Sequence, residues 1–100
     1  MCGIYGCISI DAADHVLEGL RKLEYRGYDS AGLAAIFAEN ENHIETERTT
    51  GYVSDLVSKA NGRFQGATIS IGHTRWATHG GVTDYNAHPH SSQDGRITIV

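Results

Sequence analysis

A layered α/β or α+β domain is the fold class this sequence predicts, and three observations predict it. Apolar runs of strand length stand at residues 3–10, 32–38 and 67–73, and a further run, RITIV, fills 96–100. Two intervening stretches repeat their apolar residues at helical spacing instead. The resulting order, strand–helix–strand–strand–helix–strand–loop–strand, is one that a few packed layers accommodate. Neither a P-loop nor a dinucleotide fingerprint interrupts it.

The first run, GIYGCISI (3–10), reads as a strand in which Gly3 and Gly6 mark close backbone approach. Asp11 suits an N-cap. Ala13, Val16, Leu17, Leu20 and Leu23 then recur on one helical face, predicting a helix over 12–25, and Gly27 stands where a C-terminal cap belongs. GLAAIFA (32–38) is so uniformly apolar that its strand is expected to be buried on both faces or nearly so. ENENH (39–43) turns the chain, and 43–49 pairs back as a solvated strand. Val53, Leu56, Val57 and Ala60 predict a short amphipathic helix ending at Asn61-Gly62. ATISIGH (67–73) is the third strong strand. Residues 76–95, rich in Gly, His, Ser and Asn, read as loop. RITIV begins another strand, and the expectation is that the chain stops inside a domain. No internal repeat or low-complexity linker is evident.

With 100 residues and a net charge of −4, the chain is expected to form at most one domain, and a marginal one alone. The mixed charge offers no basic face for nucleic acid. No apolar run reaches the ~20 residues that cross a bilayer. The opening MCGIYGCISI lacks the basic leader of a secretory signal, so the expected location is the reducing cytoplasm. A Cys2–Cys7 disulfide is disfavoured. On a strand their odd separation puts them on opposite faces, with Cα atoms ~16 Å apart at ~3.3 Å per residue, against the ~7 Å a disulfide tolerates. Cys7 reads as a small hydrophobe of the first strand.

Cys2 carries the most chemistry. Initiator methionine is normally trimmed ahead of a small residue, which leaves a cysteine bearing both a thiol and a free α-amine. Their ordinary pKa values, ~8.5 and ~7.7–8.0, leave the amine available as a base near neutrality. One residue then supplies both the attacking atom and its base, as in N-terminal nucleophile hydrolases. The following Gly3 lets substrate and backbone come close.

Two further stretches, LEYRGYDSAG (23–32) and GHTRWATHG (72–80), together with CGIYG (2–6) and NAHPH (86–90), make the chain resemble the class II glutamine amidotransferases, and most specifically the glucosamine-6-phosphate synthase (glutamine–fructose-6-phosphate aminotransferase) family. The resemblance spans the whole chain and is least distinctive over 38–68. It implies an αββα N-terminal nucleophile fold, of which residues 1–100 are the first part of the glutaminase domain, with the rest of that domain and the sugar isomerase domains absent. The implied reaction is attack of the thiol on the glutamine carboxamide, release of ammonia toward fructose 6-phosphate in the isomerase domain, and hydrolysis of the glutamyl thioester. The implied partners are glutamine and fructose 6-phosphate, with a homodimer of the full-length protein and no cofactor.

Residue by residue, the resemblance makes Cys2 the nucleophile and its α-amine the base. Arg75 matches the arginine that binds the glutamine α-carboxylate, for which a planar guanidinium fork is suited. Thr78 and His79 match residues of the same pocket, and Trp76 matches the tryptophan that gates the ammonia channel. Arg26 lies in the loop matching the one near the nucleophile, where it either orients the thiol or pairs with Asp29 in its own turn. Tyr25 and Tyr28 are expected to pack rather than to touch substrate. His73, His79, His88 and His90 raise the question of a metal, but no carboxylate or cysteine completes a zinc-like spacing, and hydrogen bonds around Pro89 are the expected role. The family's oxyanion hole, an Asn-Gly pair, and its aspartate for the substrate ammonium lie beyond Val100. The fragment alone is therefore expected to be a poor catalyst, since one lost oxyanion donor costs ~10²–10³ in rate. The rival readings are a class II amidotransferase with another acceptor and a non-catalytic metal- or redox-responsive module.

Overall fold

A computed structural model of the chain describes residues 1–100. The strands are β1 (Gly3–Ile8), β2 (Ser30–Phe37), β3 (Asn40–Thr50), β4 (Ile69–Arg75), β5 (His90–Ser91) and β6 (Thr98–Ile99), and the helices are α1 (Ala12–Leu23) and α2 (Val53–Ala60). The first four strands form an antiparallel sheet in the order β1-β4-β2-β3, and β5 and β6 form a separate two-stranded ribbon. The fold class is α+β. Both helices lie on one face of the sheet, where Val16, Leu20, Leu33, Val53, Leu56 and Phe64 are buried in one apolar core. Each such side chain contributes on the order of 1.5–3 kcal/mol.

The element boundaries follow local chemistry. β1 ends at Ile8 rather than running to residue 10, because Ser9 turns out of the ladder and its hydroxyl bonds the Asp11 carboxylate at 2.8 Å. Asp11 occupies the N-cap position of α1 but caps no amide with its side chain, which is committed to Ser9 and His15. α1 stops at Leu23, and residues 24–26 tighten into a 3₁₀ turn. Gly27 is not a left-handed cap: its backbone is extended. It must be glycine because a Cβ there would stand 2.6 Å from the Arg75 carbonyl carbon and 2.8 Å from the Trp76 amide nitrogen. α2 ends as its sequence predicts, with Asn61 left-handed and Gly62 at φ 77°.

β2 is buried on both sides. Ala31, Leu33 and Ala35 face the helices, while a Cβ on Gly32 would lie 1.9 Å from the His88 carbonyl oxygen on the opposite face. The loop expected over 76–95 therefore lies down on β2, and the missing side chain at Gly32 is what admits it. Arg48 on β3 fastens the same loop by donating to the carbonyls of Tyr85, Ala87 and Pro89 at 3.2, 3.3 and 3.5 Å. β3 is longer than expected, beginning at Asn40, because only Ala38 and Glu39 are needed for the turn. β4 begins two residues late, at Ile69. Gly32→Ala is expected to destabilise the fold by roughly 2–3 kcal/mol, since backbone rather than a flexible side chain must yield. An unchanged urea-unfolding midpoint would contradict the close packing of the loop on β2.

Candidate active site

β1 and β4 pair with Gly3 opposite Thr74, so the register brings Cys2 to the end of β4, where the chain leaves the sheet at Trp76. The Trp76 amide donates to Cys2 Sγ at 3.4 Å, and Sγ lies 3.8 Å from the Trp76 carbonyl oxygen. A half-buried thiol is thus held between one backbone donor and one backbone acceptor. Arg26, on the 3₁₀ turn, donates through Nε to the Cys2 carbonyl at 3.1 Å and does not pair with Asp29. The Asp29 carboxylate instead accepts the Ala77 amide at 2.7 Å. Cys7 lies five positions along β1 with its sulfur near Ser9 Oγ, and both cysteines are free.

Beside the thiol is a hollow of about 310 Å³ lined by Met1, Tyr25, Arg26 and Trp76. Met1 is attached through the Cys2 nitrogen, so the α-amine becomes free only on its removal. Tyr28 packs as expected, stacking on Tyr52 and meeting Trp76 edge-on with ring centroids 6.2 and 5.9 Å apart, whereas Tyr25 is 73% exposed. Such aromatic contacts limit where the Trp76 ring can go.

The structure brings Cys2, Arg26 and Trp76 together. Arg75 is adjacent in sequence but buried, and its guanidinium donates to the carbonyls of Gly81, at 2.9 Å, and His79. It therefore shapes the loop that carries Thr78 and His79, whose side chains stand exposed. Two residues that the sequence reading did not place at the site, Gly27 and Asp29, both contact the backbone of 75–77. A glycine and an aspartate one and three residues after the conspicuous arginine of the RGYD stretch are the signal for them.

Three of the histidines form a stack on the face of the sheet opposite the helices. His73 and His88 lie parallel with centroids 4.0 Å apart, and His90 meets His88 edge-on at 4.5 Å. The hydrogen bonds around Pro89 come from Arg48, not from these rings, and Nδ1 of both His73 and His88 is buried without a partner. Burial, reinforced by His88, Arg75 and His90, depresses His73 to about 4, and burial together with His90, Arg75 and Arg48 lowers His88 as well.

No protein-family model matches the chain. Curated relatives match it along its entire length. Glutamine–fructose-6-phosphate aminotransferases are 54% identical in Idiomarina loihiensis, 48% in Thermus thermophilus and 44% in Sulfolobus acidocaldarius, each over 100% of this chain and 16–17% of the relative. The chain is a homologue of the N-terminal sixth of these aminotransferases. Among solved structures, glutamine phosphoribosylpyrophosphate amidotransferase from B. subtilis, complexed with ADP and GMP, superposes with a TM-score of 0.70 at 23% identity, over 94% of this chain and 20% of that one. That likeness shows that the chain shares the α+β fold of that amidotransferase over nearly all of its length. No helix of the chain is long and apolar enough to cross a membrane.

The histidine stack makes stability depend on pH. An unfolded histidine takes up a proton near pH 6.5, whereas folded His73 does so only near 4, so the unfolded state binds more protons between those values. Stability is expected to fall as pH drops through this window, by up to about 1.4 kcal/mol per pH unit from His73. Urea unfolding at about pH 7 and about pH 5 should show a smaller acid loss in His73→Gln than in the parent, and an equal loss would contradict the stack's role.

Proposed function

We propose that the chain is the first part of a glutaminase domain, in which Cys2 attacks glutamine to supply ammonia for converting fructose 6-phosphate to glucosamine 6-phosphate. The observation that carries this reading is the thiol at the second residue of the chain, held against the backbone of the HTRWATHG stretch and beside an open hollow. The likeness to the aminotransferases, at 44–54% identity along the chain, supports the substrates. The chain spans about a sixth of those relatives, so the acceptor sugar, the isomerase domains and a homodimer are part of the proposal.

With Met1 removed, the Cys2 α-amine takes the thiol proton as sulfur bonds the carboxamide carbon. The same proton goes to the departing nitrogen as the C–N bond breaks, giving ammonia and a glutamyl thioester. Water then cleaves the thioester to glutamate and the free thiol. Trp76, limited by Tyr28, on which Tyr52 stacks, borders the hollow and gates the ammonia's exit. Thr78 and His79 present polar groups on the exposed loop. Arg75 spends two hydrogen bonds on the His79 and Gly81 carbonyls and retains donors for the glutamine α-carboxylate. Arg26 fixes the Cys2 carbonyl, and through it the direction of the amine.

Intact mass spectrometry of the active full-length protein should show loss of one methionine, and full activity with Met1 retained would refute the mechanism. Cys2→Ala should abolish glutamine hydrolysis, whereas Cys7→Ala should cost on the order of 1 kcal/mol of stability and leave turnover intact. Arg75→Lys keeps the charge but loses the fork, and kcat/KM for glutamine should fall by roughly 30- to 1000-fold. Ammonia-dependent synthesis, which needs no carboxylate clamp, should survive. Unchanged glutamine kinetics in a folded Arg75→Lys protein would remove Arg75 from the pocket.

A further inference from the structure

The Asp29 side chain makes its hydrogen bond not within its own turn but to the Ala77 amide, 48 residues away. Its backbone N–H also donates to the Arg75 carbonyl at 3.1 Å. These two bonds engage consecutive peptide units. In a trans peptide the C=O and N–H point in opposite directions. The unit whose C=O accepts from Asp29 N–H is the one whose N–H, that of Trp76, points at Cys2 Sγ. The next unit, whose N–H is held by the Asp29 carboxylate, is the one whose C=O, that of Trp76, faces the thiol.

We propose that Asp29 is a positioning residue for catalysis: it grips the Arg75–Trp76 and Trp76–Ala77 peptides from one side and so aims both at the Cys2 thiol on the other. The proposal rests on the reading of Cys2 as nucleophile. Two further contacts make the grip rigid. The Asp29 carbonyl accepts the Gly51 amide at 3.0 Å, tying the residue to the end of β3. Gly27, without a side chain, lets the 24–27 turn lie directly on the Arg75–Trp76 peptide. The carboxylate–amide bond is charge-assisted and short, which makes it the stronger of the two holds. Rotation of either peptide would take the donor or the acceptor away from sulfur, while leaving the helical core on the other face of the sheet untouched.

The test uses the full-length protein and two readouts, glutamine hydrolysis and alkylation of Cys2 by iodoacetamide followed by peptide mass spectrometry. Asp29→Ala should slow both by roughly 10- to 100-fold, the worth of one hydrogen bond to a charged group. Asp29→Asn retains an oxygen that accepts the Ala77 amide and should recover to within about threefold of the parent, a rescue that loss of charge alone would not permit. Parent-like alkylation and turnover in Asp29→Ala, or an Asn variant as impaired as Ala, would overturn the proposal. Should Asp29→Ala fail to fold, amide hydrogen exchange in the unaltered protein decides. The Ala77 amide should exchange at least about 10-fold more slowly than those of His79 and Gly80, and equal rates would overturn the grip. Cys2→Ala separates the two ideas: hydrolysis surviving in it defeats the nucleophile reading itself, whereas an inactive Cys2→Ala beside a fully active Asp29→Ala defeats only the positioning role.

Discussion

The surroundings of the Cys2 thiol are set by the orientation of two consecutive peptide planes, those joining Arg75 to Trp76 and Trp76 to Ala77. They leave the sheet from β4, which is hydrogen-bonded on both sides, to β1 and to β2. An interior strand of this kind cannot slide without breaking two ladders, so its exit point is stiff. β1 delivers Cys2 to that exit through the same register, and thiol and loop are therefore positioned by one sheet. A site placed on strand ends in this way is more precisely held than one carried on loops alone.

The two faces of the sheet do different work. The face toward α1 and α2 holds the aliphatic core, with Val16, Leu20, Leu33 and Leu56 fully buried. The other face, toward the loop over β2, is polar and crowded. Three buried polar atoms without partners, Ser30 Oγ and Nδ1 of His73 and His88, lie on this face, whereas Thr74 Oγ1 lies on the helical side beside Gly3 and Leu23. Each such atom costs about 1–3 kcal/mol. The helical core supplies the stability that lets this end of the sheet carry them. Toward β1 the same polar side gives way to exposed Ile4, Ile8 and Ile69, so the strain is local to the neighbourhood of the site.

Much of the fold was legible because its signals are local. The helical spacing of Val16 and Leu20, the Asn61-Gly62 stop and the uniformly apolar β2 each reflect contacts within a few residues or one repeated face. Boundaries were less legible where a side chain had competing partners, as at Asp11 and Ser9. Glycine at position 27 was misread as a cap because the atoms that require it, in Arg75 and Trp76, are remote in sequence. Asp29 was hidden for the same reason, since its partner is a backbone amide that no pattern of side chains announces. The histidines were legible as a cluster but not as a stack, because His73 lies within β4 and meets His88 only after the loop folds over Gly32. Cys2 stood out from the start, through its position next to the initiator methionine and the motifs around it.

The central claim is that the Cys2 sulfur, and not another nucleophile, meets glutamine at this loop. A glutamine analogue carrying a diazoketone in place of the carboxamide tests it most directly, with the modified residue of the full-length protein located by peptide mass spectrometry. The account predicts one label per chain, on Cys2 of a chain that has lost Met1, with labelling suppressed by excess glutamine. Labelling on Cys7, or labelling that glutamine does not suppress, would contradict it.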